Sequence, residues 1–121
     1  WLTRWPDIKG MVGLFAHEPP VILDAVRSAG RLDEIKIVGF DENEGTLKGI
    51  QEGSVHGTVV QNPYEYGRQS IELLAKLVAE KDDAKRKQLL PENGVLIVPA
   101  RQIRKDNVEA FWTDLKQKLA K

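Results

Sequence analysis

The 121-residue sequence contains no cysteine. That absence removes disulfide frameworks, thiolate nucleophiles and cysteine-based metal sites together, and it suits an oxidising compartment. Histidine is scarce, with only His17 and His56. His17-Glu18 starts like a zinc-protease motif, but that motif needs a second His four positions on, and position 21 is Val. No apolar run approaches the roughly 18 residues needed to cross a bilayer. Neither sign of charge is in excess: Lys plus Arg and Asp plus Glu are both 18, so the formal net charge is zero. A nucleic-acid binder would carry a basic face. The only dense basic run, Lys85-Arg86-Lys87, follows Asp82-Asp83 and reads as a solvated helix face. A glycine-rich phosphate loop is missing as well, because Gly49 and Gly53 fall within and after a helical segment rather than between a strand and a helix.

Candidate chemistry is equally thin. None of Ser28, Ser54 and Ser70 sits on a glycine-flanked elbow. The carboxylates are plentiful, but no pair is marked out for acid–base work. Asp41, Asn43, Gly45 and Glu52 echo a calcium loop, yet the turn glycine belongs at the sixth position and Gly45 stands at the fifth. The expectation is therefore a protein that is not an enzyme and uses no metal or cofactor.

What is present is an α/β pattern. The chain is 41% apolar and 30% charged, an ordinary globular balance. Leu2 and Trp5 lie at helical spacing before Pro6, without an initiating Met or a signal-peptide pattern. The chain is thus expected to open inside the end of a helix, as a processed or truncated product would. Met11 to Ala16 reads as a buried strand, and Pro19-Pro20 opens a helix that stops at Gly30. Ile35 to Gly39 reads as a second strand, Glu44 to Glu52 as a helix stopped by Gly53, and Thr58 to Val60 as a third strand. Strands alternating with helices through tight turns predict a parallel sheet with crossover helices. Pro63 opens a longer helix with an apolar stripe through Gly67, Ile71, Leu74 and Val78, and Lys81 to Gln88 reads as loop or frayed helix. Val95 to Val98 is predicted as a fourth strand ended by Pro99. Val108, Phe111, Trp112, Leu115 and Leu119 predict an amphipathic helix capped by Asp106 or Asn107.

Three residues invite a functional reading. In a parallel α/β sheet, ligands bind outside the carboxyl ends of the strands. Asp41 and Gln61 stand at two such ends, 20 positions apart, and Glu18 follows the first strand. Asp41 also fits a helix cap, Gln61 also fits a pre-turn position, and Phe40 also fits a core. Taken together, a carboxylate that accepts from two adjacent hydroxyls, an amide that donates and accepts, and an aromatic face suit a neutral polyol.

Ile37-Val-Gly-Phe-Asp41, Leu47-Lys-Gly-Ile-Gln-Glu-Gly53, and Thr58-Val-Val-Gln-Asn-Pro63 with Gly67 resemble the C-terminal part of the sugar-binding proteins of ABC transporters. Within that family they resemble the ribose-type periplasmic binding proteins. Pro6-Asp-Ile-Lys-Gly10 and Ala29-Gly30 fit the same pattern, so the resemblance spans nearly the whole chain. It implies part of a two-lobe, periplasmic-binding-protein-like type I fold with a monosaccharide such as ribose held in the cleft. Residues 1–61 would be a second-lobe portion, 62–94 would hold a helix that packs on the first lobe, and 95–121 would form a C-terminal strand and amphipathic helix. Phe40 would line the pocket, Asp41 would bind sugar hydroxyls, and Gln61 would lie at the crossover between lobes and touch the sugar. Where relatives carry a sugar-binding Asn after the first strand, the local sequence is Ala16-His-Glu-Pro-Pro20, and Glu18 is the nearest match. The partners implied are a monosaccharide and a membrane permease, in a periplasmic or other extracytoplasmic location, with no nucleic acid. The chain would lack the first lobe and the opening of the second, leaving the Ile71, Leu74 and Val78 stripe without its partner, so self-association is expected. The lactose-repressor-like regulators share the fold and the Gly-Phe-Asp strand, and an effector domain of that kind is the alternative.

Overall fold

The apolar runs between glycines and prolines become short strands in the computed structural model, which describes residues 1–120. The elements in chain order are β1 (Gly10–Val12), α1 (Glu18–Ser28), β2 (Lys36–Phe40), α2 (Glu44–Glu52), β3 (Gly57–Val60), α3 (Pro63–Ala79), α4 (Asp83–Leu89), β4 (Arg101–Ile103) and α5 (Val108–Leu119). They divide into two units. One is Trp1–Val60 joined by the segment from Arg101 onward, and the other is Gln61–Ala100.

The first unit holds a four-stranded sheet of order β1-β2-β3-β4. β1, β2 and β3 pair in parallel, with Met11 opposite Ile37 and Gly39 opposite Thr58. Parallel neighbours need a crossover, and α1 and α2 supply the two. β4 runs antiparallel to β3, with Val59 opposite Gln102. Side chains alternate across a strand, and in β2 the buried Ile37 and Gly39 alternate with the half-buried Val38 and Phe40. The buried side packs on Leu23 and Val26 of α1, Leu47 and Ile50 of α2, and Val108 and Phe111 of α5. Each such side chain contributes about 1.5–3 kcal/mol when taken fully from water.

The local signals explain the boundaries. Asn43 caps α2 by accepting from the Gly45 N–H at 2.8 Å, and α2 ends at Gly53 in a left-handed conformation, φ 85°. The start of α1 is wedged between strands. A Cβ on Gly39 would stand 2.7 Å from Pro19 Cγ, and one on Gly13 would stand 2.8 Å from Pro19 Cδ. The ring of Pro19 thus fills the space that two missing side chains leave at the ends of β1 and β2. The opening segment makes a single turn in which the Trp5 N–H donates to the Trp1 carbonyl at 2.9 Å.

Two strand expectations are corrected. The first strand is Gly10–Val12 and not Met11 to Ala16, and Val12, Leu14 and Phe15 are more than half exposed. The fourth strand is Arg101–Ile103 and not Val95–Val98. Val95, Leu96 and Ile97 are 60%, 48% and 79% exposed, whereas Ile103 is buried beside Val108 and Phe111. Pairing with β3 and burial of one side chain therefore select the more polar segment. Asn107 is the N-cap residue of α5, one of the two expected, but its side chain makes no cap bond to the helix. Its Oδ1 accepts from the Arg104 N–H at 2.8 Å and its Nδ2 donates to the Gln102 carbonyl at 3.0 Å, which fastens the turn after β4.

In the second unit, Asn62 caps α3 by accepting from the Glu65 N–H at 3.3 Å, and Asp82 caps α4 by accepting from the Lys85 N–H at 3.0 Å. Lys81 to Gln88 is thus a capped helix in its larger part. Arg68 bonds to Glu65 and Glu72 one turn to either side, and these hydrogen bonds, Glu65 first, raise its pKa above the ordinary arginine range. No residue of α3 is buried, and Ile71, Leu74 and Val78 are 67%, 55% and 73% exposed.

Candidate functional site

The loops that follow β1 and β2 leave the carboxyl ends of adjacent parallel strands. The Gly13 N–H donates to the Val38 carbonyl at 2.9 Å, so pairing continues one residue past β1 before the loops part. This is the edge at which an open α/β sheet receives ligands.

Phe40 is the last residue of β2, half-buried on the sheet face opposite Ile37 and Gly39. Asp41 follows it with φ 67°. Non-glycine residues enter this left-handed region rarely, Asp more readily than most. Its backbone is fixed at both polar groups. The N–H donates to the Val59 carbonyl at 3.0 Å, and its carbonyl accepts from Thr58 Oγ1 at 2.9 Å. Asp41 is therefore tied to β3 just before the chain leaves this unit. Its side chain is half-buried, and the cap of α2 is supplied by Asn43 instead. The helix-cap alternative for Asp41 thus gives way.

Gln61 comes directly after Val60, the end of β3, and is exposed. It is the first residue of the second unit.

Glu18 opens α1, and its Oε2 accepts from the backbone N–H groups of Leu14 and Phe15 at 2.6 and 3.2 Å. The carboxylate closes its own loop, like a cap turned backwards. In that loop Phe15 and His17 stand as a stacked pair, with centroids 6.1 Å apart and planes inclined by 12°. Phe15 was not singled out from the sequence, and His17 was weighed there only as the start of a zinc motif. An aromatic just past a strand end was the available signal.

A groove of about 560 Å³ is lined by Trp1, Met11, Val12, His17, Glu18 and Val21 among others. Its lining is mainly apolar and does not include Phe40 or Asp41. Among the described residues no group of three or more His, Asp or Glu side chains could hold a metal ion, and no helix is long and apolar enough to cross a membrane.

Residues 1–82 match the family model described as periplasmic binding protein domain. The chain belongs to the periplasmic binding protein family, and its α/β fold with a mostly parallel sheet is that of the type I members. It is 32% identical over 88 residues to the ribose import binding protein of Salmonella typhimurium, an alignment that takes in 69% of this chain and 28% of that protein. It is 33% identical over 85 residues to the ribose import binding protein of Bacillus subtilis, covering 68% of this chain and 24% of that protein. The matched stretch is thus about a quarter of the length of these curated relatives. Among solved structures, the glucose-galactose binding protein of Geobacillus stearothermophilus aligns with TM-score 0.70 and 30% identity, over 88% of this chain and 35% of that one. A sugar ABC transporter sugar-binding protein from Bacillus halodurans aligns with TM-score 0.70 and 25% identity, over 90% and 38%.

Proposed function

We propose that this chain supplies the second-lobe wall of the cleft in an extracytoplasmic carbohydrate-binding protein that delivers sugar to an ABC permease. The ligand is a neutral monosaccharide, with ribose first among the candidates because the curated relatives named above are ribose import binding proteins. The event is non-covalent capture, completed by lobe closure about a hinge, and no step of catalysis is involved.

The observation that carries this reading is Asp41. Its backbone is bound in a left-handed conformation at a strand end, and its carboxylate is left out of the cap of the next helix. Such a carboxylate accepts from two adjacent sugar hydroxyls, and the Gln61 carboxamide both donates to and accepts from a third. Phe40 offers an aromatic face to ring C–H groups. Glu18, already accepting from two N–H groups of its own loop, shapes the rim. One wall encloses only part of a ligand, and pockets that bind tightly bury most of the ligand surface. The chain by itself therefore binds sugar weakly.

The test is a thermal-shift panel of pentoses and hexoses on the protein in its natural length. A ligand that binds the native state raises the melting temperature with concentration. One monosaccharide doing so supports the proposal, and no shift with any of them contradicts it.

A further inference from the structure

We propose that Asn93 is a site of spontaneous covalent modification, at which the carboxamide becomes a carboxylate through a cyclic imide formed with Gly94. The inference is independent of the carbohydrate reading above.

The chain has four asparagines, Asn43, Asn62, Asn93 and Asn107. Three of them are engaged. Asn43 accepts from the Gly45 N–H, Asn62 accepts from the Glu65 N–H, and Asn107 bonds to Arg104 and Gln102 through both ends of its carboxamide. The residues that follow these three are Glu44, Pro63 and Val108, each the first residue of a helix. Proline has no N–H to give up, and the other two are fixed in helical geometry. Asn93 differs in each respect. It is exposed, and among the described residues its carboxamide has no hydrogen-bond partner. Gly94 follows it, and a Cβ there would meet no atom within 4 Å, so the space around the reacting atoms is open.

The turn itself is lightly held. Asn93 has φ 61° and Gly94 has φ 68°, two successive left-handed residues of the kinds that tolerate that region. The Gly94 N–H donates to the Pro91 carbonyl at 2.9 Å, and no residue from Glu92 to Gly94 is buried. Segments with so little packing open locally at small cost. Opening frees the nitrogen that reacts.

A base removes the Gly94 amide proton, and the nitrogen attacks Cγ of Asn93. The new N–Cγ bond forms, the Cγ–Nδ2 bond breaks, and ammonia leaves after taking a proton back from the base. Water then opens the five-membered imide at one of its two carbonyls. Opening at Cγ gives aspartate. Opening at the main-chain carbonyl gives isoaspartate, whose backbone runs through Cβ and Cγ. One water is consumed and one ammonia released, with no oxidation or reduction. Either product adds a carboxylate beside Glu92, so the formal net charge falls from zero by one unit. The isoaspartyl form also lengthens the main chain by one methylene. Residues 95–100, which form neither helix nor strand, take up that length before β4 begins at Arg101.

The experiment incubates the full chain at neutral and at mildly alkaline pH and then digests it with trypsin. Cleavage after Lys87 and Arg101 releases Gln88–Arg101, in which Asn93 is the only asparagine. Mass spectrometry reads the replacement of the amide NH2 by OH, and a carboxyl methyltransferase specific for isoaspartate, supplied with S-adenosylmethionine, reads the rerouted product. This peptide is expected to convert before those that carry Asn43, Asn62 or Asn107, and faster at the higher pH because the attacking nitrogen must first lose its proton. Gly94→Ala should slow conversion by about tenfold, since a methyl group crowds the ring that glycine leaves open. Asn93→Gln keeps Gly94 but requires a six-membered ring, and should show no conversion over the same period. An Asn93 that stays intact at both pH values, or converts no sooner than the other three asparagines, overturns the inference. So does conversion at the parent rate in Gly94→Ala or in Asn93→Gln.

Discussion

The Thr58 hydroxyl donates to the main-chain carbonyl of Asp41 at 2.9 Å. Thr58 is 2% exposed, so this bond links a buried side chain of β3 to the left-handed residue at the end of β2. Thr58→Val keeps the shape and removes the donor. Loss of a part-buried bond of this kind costs about 1–2 kcal/mol. Urea denaturation should show that loss, and the same variant should weaken sugar binding because Asp41 loses its anchor. Unchanged stability and affinity would mean that the bond does not hold Asp41.

Thr46 gives the opposite expectation. Its side chain is fully buried in α2, and its Oγ1 has no hydrogen-bond partner. Thr46→Val removes an unsatisfied polar atom at equal shape, and the two residues have similar helix propensity. We expect a gain of about 1 kcal/mol in the denaturation midpoint analysis. A loss of that size would show that the hydroxyl is satisfied in solution.

Gly39 is the glycine of the Gly-Phe-Asp run. A Cβ there meets Pro19 Cγ at 2.7 Å and Thr58 Oγ1 at 3.3 Å. Gly39→Ala should cost about 1–3 kcal/mol, the usual penalty for overfilling a packed site. It should also displace the start of α1 and with it the loop held by Glu18. A melting temperature equal to that of the parent would contradict the wedge.

The stripe of α3 predicts the behaviour of the chain on its own. Ile71, Leu74 and Val78 are all more than half exposed on a helix with no buried residue. Apolar side chains gathered on one face mark an interaction surface. The isolated chain is expected to elute in gel filtration above its monomer mass, and Leu74→Gln with Val78→Lys should return it to the monomer position. Elution as a monomer at every concentration would count against association through this face.

Much of the fold was legible because the signals were local and consistent. Glu44 to Glu52 was bounded by an acidic turn and a glycine stop, and α2 occupies those residues with Gly53 at φ 85°. β2 and β3 lie within one residue of the apolar runs that predicted them. β4 was not legible, because Arg101-Gln-Ile103 has one apolar residue and its pairing with β3 is a long-range choice. Val95 to Val98 carried a stronger strand pattern and forms none. At the candidate site, the position of Asp41 at a strand end could be read from the Gly-Phe-Asp run. Its positive φ and its bond from Thr58 could not, since both depend on the packing of β2 against β3. The role of Glu18 was hidden for a related reason, as a carboxylate reaching back four residues leaves no periodic trace. Asn43, two positions beyond Asp41, was the better cap by ordinary rules.

The most direct test is calorimetric titration of the natural-length protein and its Asp41→Ala variant with the sugar that the thermal-shift panel selects. Hydrogen bonds to a charged group are worth about 1.5–3 kcal/mol each, so losing two predicts affinity lower by roughly a hundredfold or more. The parent affinity should change little with salt, because the ligand carries no charge. An Asp41→Ala variant that binds the sugar as tightly as the parent would contradict the account.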